Sequence, residues 1–171
     1  AQPCKLIPEK TYSDGHSKEY YEDLAYCVKD YHLENSFGKI NLSFTIYDHS
    51  GAWFKTSKKE ADYIGKEGEF VIDAIKLATS TGIDLSDKNI VIVVHAGTSY
   101  QKTRDKTKLH TRTWAPNEQP LGYPPYKVIV AEKDDLVGAW AHEIGHIVGI
   151  LITSQDTATP DIYEMGNVGK W

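Results

Sequence analysis

Five consecutive residues near the C-terminal end of the chain have types and spacing that suit metal chemistry: His142-Glu143-Ile144-Gly145-His146. On an α-helix, residues four apart lie one turn apart on the same face, so the two imidazoles can bind one metal ion. A carboxylate next to such an ion is placed to accept a proton from water. The pattern is typical of zinc peptidases, and it predicts His142 and His146 as zinc ligands and Glu143 as a general base.

This chemistry requires a helix that turns the histidines away from the core. At about 100° per residue, six apolar side chains around the motif share a sector of roughly 120°. They are Leu136, Trp140, Ile144, Ile147, Val148 and Leu151. Both histidines lie away from the centre of that sector, so we expect them to face a cleft or solvent.

The expected helix runs from about residue 135 to 149. Asp134 or Asp135 is the expected N-cap, and Gly149 is the expected end. Gly138, Ala141 and Gly145 form a flank of small residues that would allow another element to approach closely. The alternative interpretation is that the histidines and Glu143 simply form the solvated face of an amphipathic helix.

The chain has 171 residues and a formal net charge of −5. This length predicts one domain, residues 1–171, with a core that needs no metal to fold. The negative charge gives no support to a nucleic-acid partner, and no apolar run is long enough for a membrane span. The two cysteines, Cys4 and Cys27, either form a disulfide in an oxidising compartment or remain thiols.

The rest of the sequence predicts helices and strands in alternation. Helical spacing is present at residues 17–31 and about 70–82. Strict alternation predicts a half-buried strand at 40–47, followed by a turn at Ser50-Gly51. Two further strands are expected at 90–94 and 126–130. The proline-containing stretch 96–125 is the expected wall of a substrate cleft. We therefore predict an α+β fold, a mixed sheet packed with helices, with the His142 helix last.

Several segments resemble the immune-inhibitor-A-like metallopeptidases. They are residues 31–40 with Ser36-Phe37-Gly38-Lys39, the strand end His95-Ala96-Gly97, the His142 helix, Pro160-Asp161-Ile162-Tyr163 and Gly169-Lys170-Trp171. They occur in the same order and span most of the chain. The resemblance implies a zincin fold, a secreted zinc endopeptidase, and a protein or peptide substrate that pairs with an edge strand of the sheet.

The chain departs from this family where relatives place an acidic residue shortly after the motif. That position is Ile152, which also excludes a third histidine there, and Pro160-Asp161-Ile162-Tyr163 follows only after an apparent insertion. Relatives also continue beyond Trp171 into a Met-containing turn, so we expect a domain shortened at its C-terminal end.

Catalytic zinc needs three protein ligands and one open position. The candidates for the third ligand are Asp156, Asp161 and Glu164, with Glu164 the first choice and Asp161 the second. Tyr163 is the predicted source of oxyanion stabilisation, with His95 and His110 as alternatives.

The competing function is a non-catalytic zinc-binding or surface-adhesion module derived from a peptidase. An intact Glu143 argues against it, because a metal-binding scaffold needs no general base. A zinc hydrolase that acts on a non-peptide amide is a third possibility, since a fold does not determine its substrate.

Overall fold

The structure, a computed structural model, describes residues 16–114, 124–131 and 137–153. The elements are α1 (Lys18–Asn35), a 3₁₀ helix (Glu60–Tyr63), α2 (Glu67–Ser80), β1 (Ile90–His95), α3 (Tyr100–Thr103), β2 (Arg112–Trp114), β3 (Tyr126–Ala131) and α4 (Val137–Thr153). The fold is α+β with a small mixed sheet, as the sequence predicts at that level.

The described sheet has three strands in the order β1-β3-β2. β1 runs parallel to β3, whereas β2 runs antiparallel to it and places Thr113 opposite Val128. Every residue of β3 is buried. Lys127 is among these buried residues, and the others are apolar or aromatic, as expected of a central strand that is covered on both faces.

Helices cover both faces of this sheet. On one face, α1 and α4 pack against β3 through a core cluster that includes Val28, Val128 and Ile144. On the other face, Phe70 and Val71 of α2 pack with Ile129 and Trp114. The alternation of side chains along β3 thus divides the core in two.

Helix α1 begins directly after its capping residue, Ser17. The Ser17 hydroxyl accepts a hydrogen bond from the Tyr20 amide at 3.4 Å. The helix ends at Asn35, and Phe37 and Gly38 follow with φ of 54° and 80°. Cys27 is buried in α1 and is disulfide-bonded, which is the first of the two alternatives for the cysteines. Cys4 lies outside the described residues.

The prediction of a strand over residues 40–47 is wrong, although its alternation is present. Leu42, Phe44 and Ile46 pack partly against the core, and the residues between them are exposed. Within the described residues, the segment pairs with no strand. A groove of about 1410 Å³ is lined by residues of both the segment and β1. The alternation of apolar and polar residues in this segment therefore reflects which side chains are buried, without strand pairing. The predicted turn is confirmed, because His49 and Ala52 bridge around Ser50-Gly51.

The prediction that Gly149 ends the motif helix is also wrong, since α4 continues to Thr153. A glycine inside a helix costs only about 1 kcal/mol relative to alanine. The following apolar residues, Ile150-Leu151-Ile152, continue the helix. The chain therefore does not turn back at Gly149. Asp134 and Asp135, the predicted N-caps, lie outside the described residues.

The stretch 96–125 contains elements that the sequence analysis missed. α3 and β2 both lie in it, and β2 contacts the motif helix.

None of the described helices is long and apolar enough to span a membrane.

Candidate metal centre

The two motif histidines face each other across one turn of α4. Their Nε2 atoms are 3.2 Å apart, and their ring planes are nearly perpendicular, at 89°. Both side chains are partly buried, whereas Ile144 and Ile147 of the same helix are buried in the core. The helix is therefore oriented as its apolar stripe predicts.

The spacing of these two nitrogen atoms fits a zinc ion. Zinc–nitrogen distances in proteins are about 2.0–2.1 Å, so an ion at that distance from both Nε2 atoms would subtend an N–Zn–N angle of about 100–106°. That angle is close to the tetrahedral value that zinc prefers. His142 and His146 are thus suited to hold one zinc ion without a change of helix geometry.

Glu143, which follows the first histidine, is buried with 8 % of its surface exposed. Burial of a carboxylate is costly unless hydrogen bonds compensate for the lost water. The Thr113 hydroxyl lies 2.6 Å from Glu143 Oε2 and 3.0 Å from the Glu143 carbonyl oxygen. The carboxylate is therefore held by a hydrogen bond from a different element of the fold.

That element is β2, the outermost strand on one side of the described sheet. Because side chains alternate along a strand, Thr113 points to the α4 face, while Trp114 packs in the cluster on the opposite face. Helix α4 contacts both β2 and β3. The motif is thus placed against a short antiparallel strand at the margin of the sheet.

Helix α1 supports the motif helix from the other side. His32 of α1 is buried and forms a hydrogen bond with the backbone of Ala141, the residue before His142. Burial lowers the pKa of His32, because desolvation disfavours the imidazolium, and the bond to Ala141 opposes this shift. Tyr21 of α1 also stacks on Trp140, with ring centroids 6.2 Å apart.

The small residues of α4 do not act as predicted. A Cβ added at Gly138 or at Gly145 would meet nothing within 4 Å. The backbone of Ala141 is contacted by His32 of α1. The expected close approach of another element at these glycines is therefore absent from the part of the chain that the structure describes.

None of the predicted candidates for the third ligand lies among the described residues. Within 16–114, 124–131 and 137–153, no group of three His, Cys, Asp or Glu side chains is arranged to hold a metal. The candidates Asp156, Asp161 and Glu164 lie outside these ranges, as does Tyr163. The structure therefore brings together the imidazoles of His142 and His146 and places Glu143 of the same helix against Thr113.

Two further histidines considered for oxyanion stabilisation lie in other surroundings. His95 ends β1 on the α2 side of the sheet, where its ring contacts Phe70 edge-on at 6.3 Å. This places it on the face opposite α4. His110 stacks on Tyr100 with ring centroids 4.1 Å apart. The contact with Phe70 leaves His95 on the sheet face opposite the motif helix. His110 packs against Tyr100 in the loop before β2.

The sequence pattern indicated neither Thr113 nor His32 as a residue of the site. Thr113 lies in the alternating segment Thr111-Arg112-Thr113-Trp114, a β-branched and aromatic pattern typical of a strand. Because the residues around this segment are mostly polar, its short strand pattern was not recognised. The spacing within α1 placed His32 next to apolar positions, but the contact with Ala141 depends on tertiary packing.

Comparison of the chain with protein-family models, with curated proteins and with solved structures found no match in any of the three.

Proposed function

We propose that this chain is a zinc-dependent endopeptidase with a zincin-like catalytic domain. The observation that carries the proposal is the pairing of two Nε2 atoms 3.2 Å apart with the buried carboxylate of Glu143 on the same helix. The pair suits a zinc ion, and the carboxylate suits a general base beside it. The resemblance of the sequence to immune-inhibitor-A-like peptidases supports the same conclusion.

In the proposed reaction, each residue of the site would have a separate role. His142 and His146 would hold zinc, together with an acidic residue among Asp156, Asp161 and Glu164, with Glu164 preferred. When bound, zinc supplies Lewis acidity, which lowers the pKa of a water ligand towards about 7 and polarises a carbonyl group. Glu143 accepts the proton of the attacking water and later delivers it to the leaving amine. Tyr163 is proposed to stabilise the developing oxyanion.

The position of β2 supports a peptide as the substrate. β2 lies at the margin of the described sheet and reaches Glu143 through Thr113. An extended peptide can add to a sheet edge through main-chain hydrogen bonds, which places its carbonyl groups at regular intervals along the strand. A peptide paired with β2 would therefore pass next to the general base.

The buried environment of Glu143 favours catalysis over the alternative of a non-catalytic zinc-binding or surface-adhesion module. Only 8 % of Glu143 is exposed, and Thr113 donates a short hydrogen bond to it. A module that only binds metal gains nothing from a desolvated carboxylate at this position. We also infer a secreted protein, which the disulfide-bonded Cys27 supports because disulfides persist in oxidising compartments.

Metal analysis combined with a casein cleavage assay tests this proposal. We expect about one zinc per chain, cleavage of casein, loss of cleavage with a chelator, and recovery when zinc is added. A zinc-loaded protein that cleaves neither casein nor a broad peptide library would contradict the peptidase and support the binding module. A protein that contains no zinc after purification in zinc buffer would contradict both.

A further inference from the structure

The contact between Thr113 and Glu143 joins the sheet margin to the motif helix. Thr113 Oγ1 is 2.6 Å from a carboxylate oxygen and 3.0 Å from the carbonyl oxygen of the same residue. A hydroxyl has a single hydrogen to donate, and O–H···O⁻ bonds typically measure about 2.5–2.7 Å. The 2.6 Å contact is therefore the donated bond, and the carboxylate is its acceptor.

The donor is held in place by its own strand. Thr113 is the middle residue of β2 and pairs with Val128 of the central strand, which is fully buried. A side chain on a paired strand moves less than one on a loop, because the backbone on both sides is fixed. The glutamate, in contrast, has three rotatable side-chain bonds, and its helix fixes only the first of them well.

We propose that Thr113 is a positioning residue that sets the orientation of the Glu143 carboxylate. Because Thr113 holds Oε2, rotation about the last side-chain bond of Glu143 is restricted, which would set the direction in which the carboxylate faces a zinc-bound water. Thr113 would act only through Glu143. This inference rests on the proposed peptidase function, and it adds that the strand offered to the substrate also orients the base.

The test replaces only the hydroxyl. Thr113→Val keeps the β-branched shape and removes the donor, whereas Thr113→Ser keeps the donor and removes a methyl group. With zinc-loaded protein and a peptide substrate, we expect Thr113→Val to lower kcat by about 10- to 100-fold with KM and zinc content unchanged. Thr113→Ser should recover most of kcat. Unchanged kcat in Thr113→Val, or equal losses in both variants, would overturn the proposal.

A second measurement does not depend on activity. Crystal structures of zinc-loaded wild type and Thr113→Val should show the Glu143 carboxylate in one orientation in the first and rotated or in several conformers in the second. An unchanged carboxylate in Thr113→Val would overturn the positioning role. If the wild type cleaves no peptide, the peptidase proposal fails, while this comparison still decides whether Thr113 orients Glu143.

Discussion

The Nε2 atoms of His142 and His146 lie 3.2 Å apart on the partly exposed side of α4. The same helix buries Ile144 and Ile147 in the core. The core therefore fixes the rotation of the helix about its axis, and this rotation determines where the two imidazoles lie.

We predict that His142→Ala and His146→Ala each lower zinc binding sharply. Each change removes one of two ligands on α4, and a single imidazole holds zinc far more weakly. The measurement is zinc content after dialysis against a weak chelator. His49→Ala is the matched control, because His49 lies exposed in the turn at Ser50-Gly51 and is remote in sequence from the motif.

The same variants should remain folded without zinc, since α1, α4 and the sheet share a large apolar cluster. Far-ultraviolet circular dichroism and a cooperative thermal transition would show this. Complete unfolding of the metal-free wild type would contradict it and would make zinc a structural requirement.

A third ligand is predicted in the segment after α4. We expect one of Glu164→Ala, Asp161→Ala and Asp156→Ala to reduce zinc affinity by at least about 10-fold, because it removes a direct ligand. The other two changes should have small effects, as surface carboxylates do. Competition with a fluorescent zinc indicator measures the affinities. Wild-type affinity in all three variants would place the third ligand outside this segment.

Acid should weaken the packing of α1 on α4 through His32. Burial lowers the pKa of this side chain, so the unfolded chain takes up a proton near pH 6.5 while the folded chain does not. The stability that neutral His32 contributes is therefore complete above pH 6.5 and is lost as the pH falls from there through its folded pKa. Each unit of pKa depression corresponds to about 1.4 kcal/mol.

Urea unfolding of the metal-free protein between pH 8 and 5 measures this effect. We expect the free energy of unfolding to fall less steeply with acidification in His32→Gln than in the wild type. His49→Gln should keep the wild-type slope. Parallel slopes for wild type and His32→Gln would show that His32 does not contribute to acid sensitivity.

Gly145→Ala should stabilise the fold. Gly145 lies inside α4, and an added Cβ would meet nothing within 4 Å. Alanine in a helix is favoured over glycine by about 0.8–1.0 kcal/mol, so the free energy of unfolding should rise by nearly that amount in denaturant titration. A loss of stability would show that another part of the chain occupies this space.

The hydrophobic pattern predicted α1, α2, β1, β3 and α4. The apolar stripe of α4 and the apolar run at 90–94 in β1 were sufficient to identify these two elements. The prediction for residues 40–47 was wrong because alternation reports which side chains are buried and does not report hydrogen-bond partners. The prediction for Gly149 was wrong because the apolar residues after it continue the helix.

The separation along the chain between residues of the candidate site explains which of them could be predicted. The spacing of His142, Glu143 and His146 lies within one helix, so counting residues was enough. Thr113 is 30 residues from Glu143 in the chain and reaches it only through strand pairing. Contacts of that kind depend on the register of β2 with β3, which the sequence pattern did not reveal.

The most direct test of the proposed peptidase compares Glu143→Gln with the wild type, each at equal and verified zinc content. Glutamine keeps the size of the side chain and both imidazoles, and it cannot accept the proton of the attacking water. We predict that zinc remains at about one ion per chain and that peptide cleavage falls by at least about 100-fold. Cleavage by Glu143→Gln at the wild-type rate would contradict the role of Glu143 as the general base.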